Sequence, residues 1–242
     1  MKNAEFSILI PAYNEAKNII YTIKETIKVL EEFNPDYELV VADDGSADDT
    51  VKKITEFSAG NKKVKLQSYY PNKGKGFALK YGTGFLNGRY ILFLDADLDL
   101  HPSLINIMYG IMKETNADVV IGSKMHKDSV LNYPEARKML SSFYYCMVKF
   151  LFRLPVKDTQ TGIKLFKSEA LKACISNVIV RRYAFDLELL LSLYKRGFKI
   201  VESPIQLNSK REAGRIGLKD AARMFLDTMH VFWRFYIRKY YG

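Results

Sequence analysis

Cysteine is nearly absent from this chain of 242 residues: there are two, Cys146 and Cys174, with no CxxC pair and no neighbouring His pair. That excludes a disulfide framework and a zinc ribbon, and both thiols are expected in apolar helical surroundings. No apolar run reaches the roughly 20 residues of a membrane span, and the start MKNAEFSILIPAY has no signal-peptide core with a cleavage site. The expectation is a cytosolic or cytosol-facing protein. Acidic residues are scarce in the second half. Residues 1–136 hold 16 Lys/Arg against 19 Asp/Glu, whereas residues 137–242 hold 21 against 8, a net charge of +13. The C-terminal part is thus suited to an anionic partner, either nucleic acid or a lipid phosphate and membrane surface. Hydrophobic residues make up 48% of the chain, enough for the sizeable core of one large α/β domain or two small ones.

Against these absences stands ILFLDADLD (91–99), an apolar run of strand length ending in three alternating carboxylates, Asp95, Asp97 and Asp99. Repulsion among them would be costly without a cation. Oxygen-only donors suit Mg²⁺ or Mn²⁺, which completes its shell with water and substrate phosphates. The same letters also suit a turn before a helix starting at His101-Pro102.

Strands and helices alternate along the chain. FSILIPAY (6–13), YELVVADDG (37–45), VKLQSYY (64–70), the run into Asp95, DVVIGSK (118–124) and KIVESPIQL (199–207) read as strands. Helices are expected over 16–33, 47–58, near 75–87 and over 102–115. The pattern implies a mostly parallel sheet with ligands at the carboxyl ends of its strands. Polar clusters fall at those ends: Tyr13-Asn14-Glu15, Asp43-Asp44-Gly45-Ser46, Asn72-Lys73-Gly74-Lys75-Gly76 and Asp95-Ala96-Asp97.

ILIPAYNE, VVADDGSADDT, NKGKGFAL and FLDADLD, in this order and spacing, resemble the family 2 inverting glycosyltransferases. DTQTGIKLF (158–166) and YAFDLELL (183–190) are similar to the subgroup that makes dolichyl- or polyprenyl-phosphate glucose and mannose. The resemblance covers roughly residues 5–215. It implies the GT-A fold, a Rossmann-like three-layer α/β/α arrangement with a mostly parallel central sheet. The catalytic domain is placed at 1–216 and a C-terminal amphipathic helix at 217–242.

By that resemblance Pro11, Tyr13, Glu15 and Asp44 line the nucleotide base and ribose, with Lys75 and Gly76 beside them. Asp95 and Asp97 match the metal-binding DxD, Asp97 as the direct ligand, and Asp99 is a third candidate. Lys124 stands near the diphosphate where relatives carry Arg. Arg137 is expected to reach a phosphate and to act in catalysis, while Arg211 and Arg215 belong to a basic loop over the acceptor phosphate. Asp186 is placed beside the sugar or acceptor; as a general base it would serve an alcohol acceptor, and a phosphate acceptor needs none.

The implied reaction moves glucose or mannose from a nucleoside diphosphate sugar to a polyprenyl or dolichyl phosphate at a cytosolic membrane face, with Mg²⁺ or Mn²⁺. UDP-sugar is favoured over GDP-mannose, and no nucleic acid takes part. Transfer to a glycan or other alcohol, or nucleotidyl transfer, are the alternatives.

In the tail, a helix puts Leu218, Ala222, Phe225, Met229, Phe232, Trp233, Tyr236 and Tyr240 on one face and Lys219, Arg223, Arg234 and Arg238 on the other. This stripe fits either an interfacial helix on anionic lipid or a terminal helix docked on the domain. MLSSFYYCMVKFLFRL (139–154), too short to span, is a second membrane-contact candidate.

Overall fold

The computed structural model describes residues 4–34, 36–132, 135–208 and 218–241, with side chains outside 132–143 and 208–221. Five parallel strands carry most of the expected pattern: β1 (Phe6–Ala12), β2 (Tyr37–Asp43), β3 (Val64–Ser68), β4 (Tyr90–Leu94) and β5 (Val119–Ser123). The connecting helices are α1 (Ile19–Phe33), α2 (Thr50–Ala59), α3 (Lys75–Thr83) and α4 (Leu104–Thr115). After β5 come a short β6 (Val130–Asn132), α5 (Glu135–Phe152), β7 (Ile163–Lys167), α6 (Ser168–Ile175), α7 (Phe185–Lys195), β8 (Ile200–Pro204), β9 (Gln206–Asn208) and α8 (Leu218–Phe232). A wide-turned π segment, Trp233–Ile237, continues α8.

The main sheet has seven strands in the order β3-β2-β1-β4-β7-β5-β8. β7 alone runs antiparallel, inserted between β4 and β5, and sets Lys164 opposite Phe93. β6 and β9 form a separate parallel pair.

The central strands are buried on both faces, and the period-2 alternation of a strand sends successive residues to two cores. Ile8, Ile10, Leu39, Val41, Leu92 and Leu94 pack under α1, α2 and α4. Leu9, Val40, Ile91, Phe93 and Phe166 meet α3, α6 and α7, with α5 and α8 in the same cluster. Each such side chain contributes about 1.5–3 kcal/mol when fully buried. The result is the three-layer α/β/α arrangement that the sequence suggests.

Two expectations change. Cys174 is buried but Cys146 is exposed, so only one thiol belongs to the core. Arg234, read as part of the polar face of the tail, turns inward instead and pairs with buried Glu188 at 2.8 Å. The inward face of α8 and its continuation carries Thr228 and Val231, both fully buried, together with Phe235. Phe225, Leu226, Trp233, Tyr236, Ile237 and Tyr240 remain exposed. The helix is therefore docked, and it still presents a second apolar face.

Candidate active site

The carboxyl ends of β1, β2 and β4 meet at one edge of the sheet, and their loops are stitched together by side chains. Asn14, in the left-handed region at φ 53°, receives a hydrogen bond from Ala47 N–H at its Oδ1 and donates its own N–H to Ser46 Oγ. Glu15 N–H donates to Thr50 Oγ1 at 2.9 Å. Asp44 is buried and accepts from the Tyr69 hydroxyl (2.7 Å), Asn72 Nδ2 (2.8 Å), Lys73 N–H (2.7 Å) and Gly74 N–H (2.8 Å). Burial and the Asp44 carboxylate raise the Tyr69 hydroxyl well above its usual range. One carboxylate thereby fixes the whole 69–74 loop. Gly74 sits at φ 102°, where a side chain would be strained and would also meet Arg181 O at 2.7 Å.

A cavity of about 490 Å³ lies against these loops, lined by Pro11, Tyr13, Glu15, Asp44, Asn72, Lys75, Asp95, Asp97, Arg182 and Asp186 among others. Most of the expected nucleotide-sugar residues thus come together. Gly76 does not join them: it is buried against α7, and a Cβ there would meet Phe185 at 2.5 Å, so its smallness serves helix packing.

A second cavity, about 260 Å³, lies across the DxD turn. Its walls include Tyr144, Tyr145 and Val148 of α5, Met224 of α8 and Leu207 of β9, and its polar floor includes Lys124, Asp158, Thr159 and Thr161. Asp95, Asp97, Gln160 and Tyr183 line both cavities. Lys124 belongs to this second cavity, where its Nζ pairs with Asp158 at 2.8 Å and its N–H donates to the same carboxylate. Burial opposes ionisation of Asp158, but Lys124 and the Thr161 hydroxyl outweigh it and lower its pKa. Lys124 thus anchors the turn before β7 instead of reaching into the first cavity.

Lys75 Nζ approaches Asp95 Oδ1 to 2.5 Å. Burial, above all, holds Asp95 above the ordinary carboxylate range against the pull of Lys75, with repulsion from Asp97 and Asp186 adding to it. Burial likewise opposes the charge of Lys75, yet the three carboxylates raise its pKa. Leu98 is left-handed at φ 56°, an uncommon state for such a residue, and the Asp97 carboxylate caps Asp99 N–H at 3.2 Å. The Thr22 hydroxyl holds Ala96 O at 2.6 Å.

Among the described residues no three His, Cys, Asp or Glu side chains converge as a metal-holding group, so the expected triad reduces to Asp95 and Asp97, with Asp99 bordering only the second cavity. Two carboxylates in mutual repulsion still fit Mg²⁺ or Mn²⁺, which commonly takes one or two protein carboxylates and draws its other oxygens from phosphates and water.

Asp186 opens α7, and its Oδ1 pairs with Lys164 Nζ at 2.6 Å. Lys164, Gln160, Arg182 and Tyr183 were not singled out by the sequence reading. Only Lys164 leaves a signal there: a cation set between apolar Ile163 and Leu165 inside the strand IKLFK implies a buried partner. Arg211 and Arg215 lie outside the described residues. So does the side chain of Arg137, whose backbone is in the first turn of α5.

Comparison with known proteins agrees with this geometry. Residues 7–186 match the family described as Glycosyl transferase family 2. A dolichyl-phosphate beta-glucosyltransferase of Trichomonas vaginalis is 32% identical over 93% of this chain and 72% of its own length. Glycosyltransferase AglD of Haloferax volcanii is 27% identical over 97% of this chain and 38% of its own length. Among solved structures, glucosyl-3-phosphoglycerate synthase from Mycobacterium tuberculosis in complex with Mn²⁺, uridine diphosphate and phosphoglyceric acid superposes with a TM-score of 0.71 at 19% identity, over 99% of this chain and 79% of that one.

Proposed function

Because this chain belongs to glycosyl transferase family 2, we propose that it moves glucose from a uridine diphosphate sugar to the phosphate of a polyprenyl lipid of the dolichyl type, with inversion at the anomeric carbon. The observation that carries this reading is the pair of cavities meeting at Asp95 and Asp97, one lined by the polar loops at the carboxyl ends of β1 to β4 and the other walled by aromatic and apolar side chains. The names of relatives near 30% identity favour glucose and a dolichyl phosphate, and the uridine diphosphate and Mn²⁺ of the structural neighbour favour this donor.

In this reading Pro11, Tyr13 and Glu15 take the base and ribose, with Asp44 holding the loop around them. Lys75 and Arg182 supply positive charge beside the diphosphate. Asp95 and Asp97 would hold a divalent ion, which would neutralise the charge that develops on the leaving diphosphate. A lipid phosphate oxygen forms the new bond to the anomeric carbon as the bond to the diphosphate oxygen breaks, and uridine diphosphate leaves with the electron pair. The phosphate is already an anion, so positioning suffices and no base is needed. Asp186, ion-paired to Lys164, is left to bind and orient in this reading. Arg137, Arg211 and Arg215 stay as candidates for the acceptor phosphate.

The acceptor lies in a membrane, and the outer face of α8 suits one. No helix among the described residues is long and apolar enough to cross a bilayer. Phe225, Leu226, Trp233, Tyr236 and Ile237 are exposed there, as is Phe150 of α5. Lys149, Arg153, Arg223, Arg238 and Lys239 are exposed on the same two segments, and Arg238 stacks over Trp233 at 4.4 Å. Aromatic residues with cations suit peripheral attachment to anionic lipid on the cytosolic face.

The test is a donor screen with the full chain and polyprenyl phosphate in anionic vesicles. Equal amounts of uridine diphosphate and glycosylated lipid phosphate are expected, and release of pyrophosphate or preference for a neutral alcohol overturns the reading. Trp233 is the only tryptophan, so its emission reports the surface. Brominated anionic lipid should quench it, and salt should relieve the quenching; no quenching at low salt refutes membrane contact.

A further inference from the structure

Lys164 is almost fully buried, at 2% exposure, in the middle of β7. Its ammonium donates to Asp186 Oδ1 at 2.6 Å and to Thr161 O at 2.5 Å. Taking a lysine out of water is expensive, and the cost is recovered only through an anion and further hydrogen bonds. A strand that needed only stability would carry an apolar residue here, as its neighbours Ile163 and Leu165 do.

The pairing has a directional consequence. Asp186 lines the larger cavity beside Asp95, Asp97 and Lys75. One of its oxygens is held by Lys164, and among the described residues Oδ2 has no hydrogen-bond partner. A carboxylate clamped through one oxygen presents the other in a fixed direction, as an acceptor for a hydroxyl. The clamp is itself part of a chain of contacts. Thr161 carries the carbonyl that holds Lys164 and a hydroxyl that donates to Asp158, which Lys124 holds in turn. The next residue, Gly162, packs on the Asp95 carboxylate. The turn before β7 therefore fixes Asp95 and Asp186 together.

We infer that Lys164 is a positioning residue for the donor sugar: through its clamp on Asp186 Oδ1 it aims Oδ2 at one hydroxyl of the bound sugar and so sets which sugar is accepted. This rests on the donor reading given above. Losing a charge-assisted hydrogen bond of this kind costs about 10- to 100-fold in affinity.

The experiment is calorimetric binding of uridine diphosphate, its glucose ester, and deoxyglucose esters each lacking one hydroxyl, to the full chain with Mn²⁺. The wild type should bind one deoxy ester about 10- to 100-fold more weakly than the glucose ester. Lys164→Met and Asp186→Asn should erase that difference while uridine diphosphate binds as before, and Lys164→Arg should restore part of it. Asp186→Asn preserves volume, so with Lys164→Arg it carries the test if Lys164→Met fails to fold. Unchanged discrimination in Lys164→Met and Asp186→Asn overturns the inference alone. Equal losses for uridine diphosphate and all its esters, with a lowered melting temperature, also overturn it and leave Lys164 merely structural. A wild type that binds neither uridine diphosphate nor the glucose ester overturns the donor reading as well.

Discussion

Gly162 offers a perturbation whose size can be worked out before the experiment. A Cβ built on it lies 2.0 Å from Asp95 Oδ2 and 2.5 Å from Asp95 Cγ, whereas ordinary contact starts at 3.4 Å. Gly162→Ala therefore obliges the Asp95 carboxylate to retreat by about 1.4 Å, the gap between those distances. The backbone is no obstacle, because Gly162 is not one of the glycines held at positive φ. Overpacking costs about 1–3 kcal/mol, and the stiffer unfolded chain returns about 0.4–1 kcal/mol. Stability should fall by no more than about 2.6 kcal/mol.

Activity should suffer much more. A misplacement of about 1 Å at a reacting centre costs on the order of 100-fold in rate, equivalent to about 2.7 kcal/mol of barrier. Asp95 is also the partner of Lys75, so in the proposed mechanism a carboxylate that would hold the metal and the cation that would face the diphosphate shift together. The assay is uridine diphosphate release with polyprenyl phosphate as acceptor, beside a thermal melt. Gly110→Ala is the control: its Cβ meets nothing within 4 Å, it lies inside α4, and it should stabilise by up to about 1 kcal/mol with turnover unchanged. Turnover of Gly162→Ala within about 3-fold of the wild type refutes the claim that Asp95 must sit where it does.

Asp97→Asn should lower turnover by about 100-fold or more and weaken its response to added Mg²⁺ or Mn²⁺, with a melt within about 0.5 kcal/mol of the wild type; full activity in excess chelator contradicts this. Glu188→Ala strands Arg234 and the Tyr241 hydroxyl and removes the acceptor for Ile179 and Val180 N–H, so denaturant unfolding should show a loss of about 3–5 kcal/mol; a loss under 1 kcal/mol contradicts it. Burial pushes Glu38 and Asp158 up, but Lys65 with the Asn87 N–H and Ser7 hydroxyl, and Lys124 with Thr161, bring them below the usual range. The unfolded chain then binds more protons than the folded one just below about pH 4, so stability is full above that and lost as pH falls through the folded values. Melting temperatures from about pH 6 to 3 should show this fall, and Asp158→Asn should flatten part of it.

The sheet was legible because strands and helices alternate at lengths that allow little but parallel crossovers, and the polar clusters sit where such strands end. β7 was not. Its five residues read as part of a motif, and nothing local in IKLFK says that the strand enters antiparallel between β4 and β5. Lys164 was missed for the same reason: its partner is supplied by a helix that starts twenty-one residues later. Asp44 was legible as a site residue, but not as the clamp of the 69–74 loop, since that depends on the β2–β3 register bringing Tyr69 and Asn72 back to it. Gly76 and Lys124 were assigned to the donor by motif position, while their surroundings are set by α7 and by the turn before β7. In the tail, a regular helix predicts one apolar stripe. The π segment from Trp233 to Ile237 changes the angular phase, and Arg234 joins the buried side.

That change of phase connects the surface with the chemistry. Asp186 and Glu188 are two residues apart on α7, about 200° around a helix of 3.6 residues per turn. Asp186 faces Lys164 and the larger cavity, and Glu188 faces Arg234 and Tyr241 of the tail. One helical turn therefore carries both a carboxylate that lines the larger cavity and the buried anchor of the segment with the exposed apolar face. Met224 of α8 also lines the second cavity, so the element with the exposed apolar face is at once a wall of that cavity and, through Glu188, a brace for the helix that carries Asp186. Docking of Arg234 and Tyr241 against buried Glu188 therefore has a physical reason: losing that anchor would loosen the helical turn that carries Asp186 as well as the segment with the exposed apolar face.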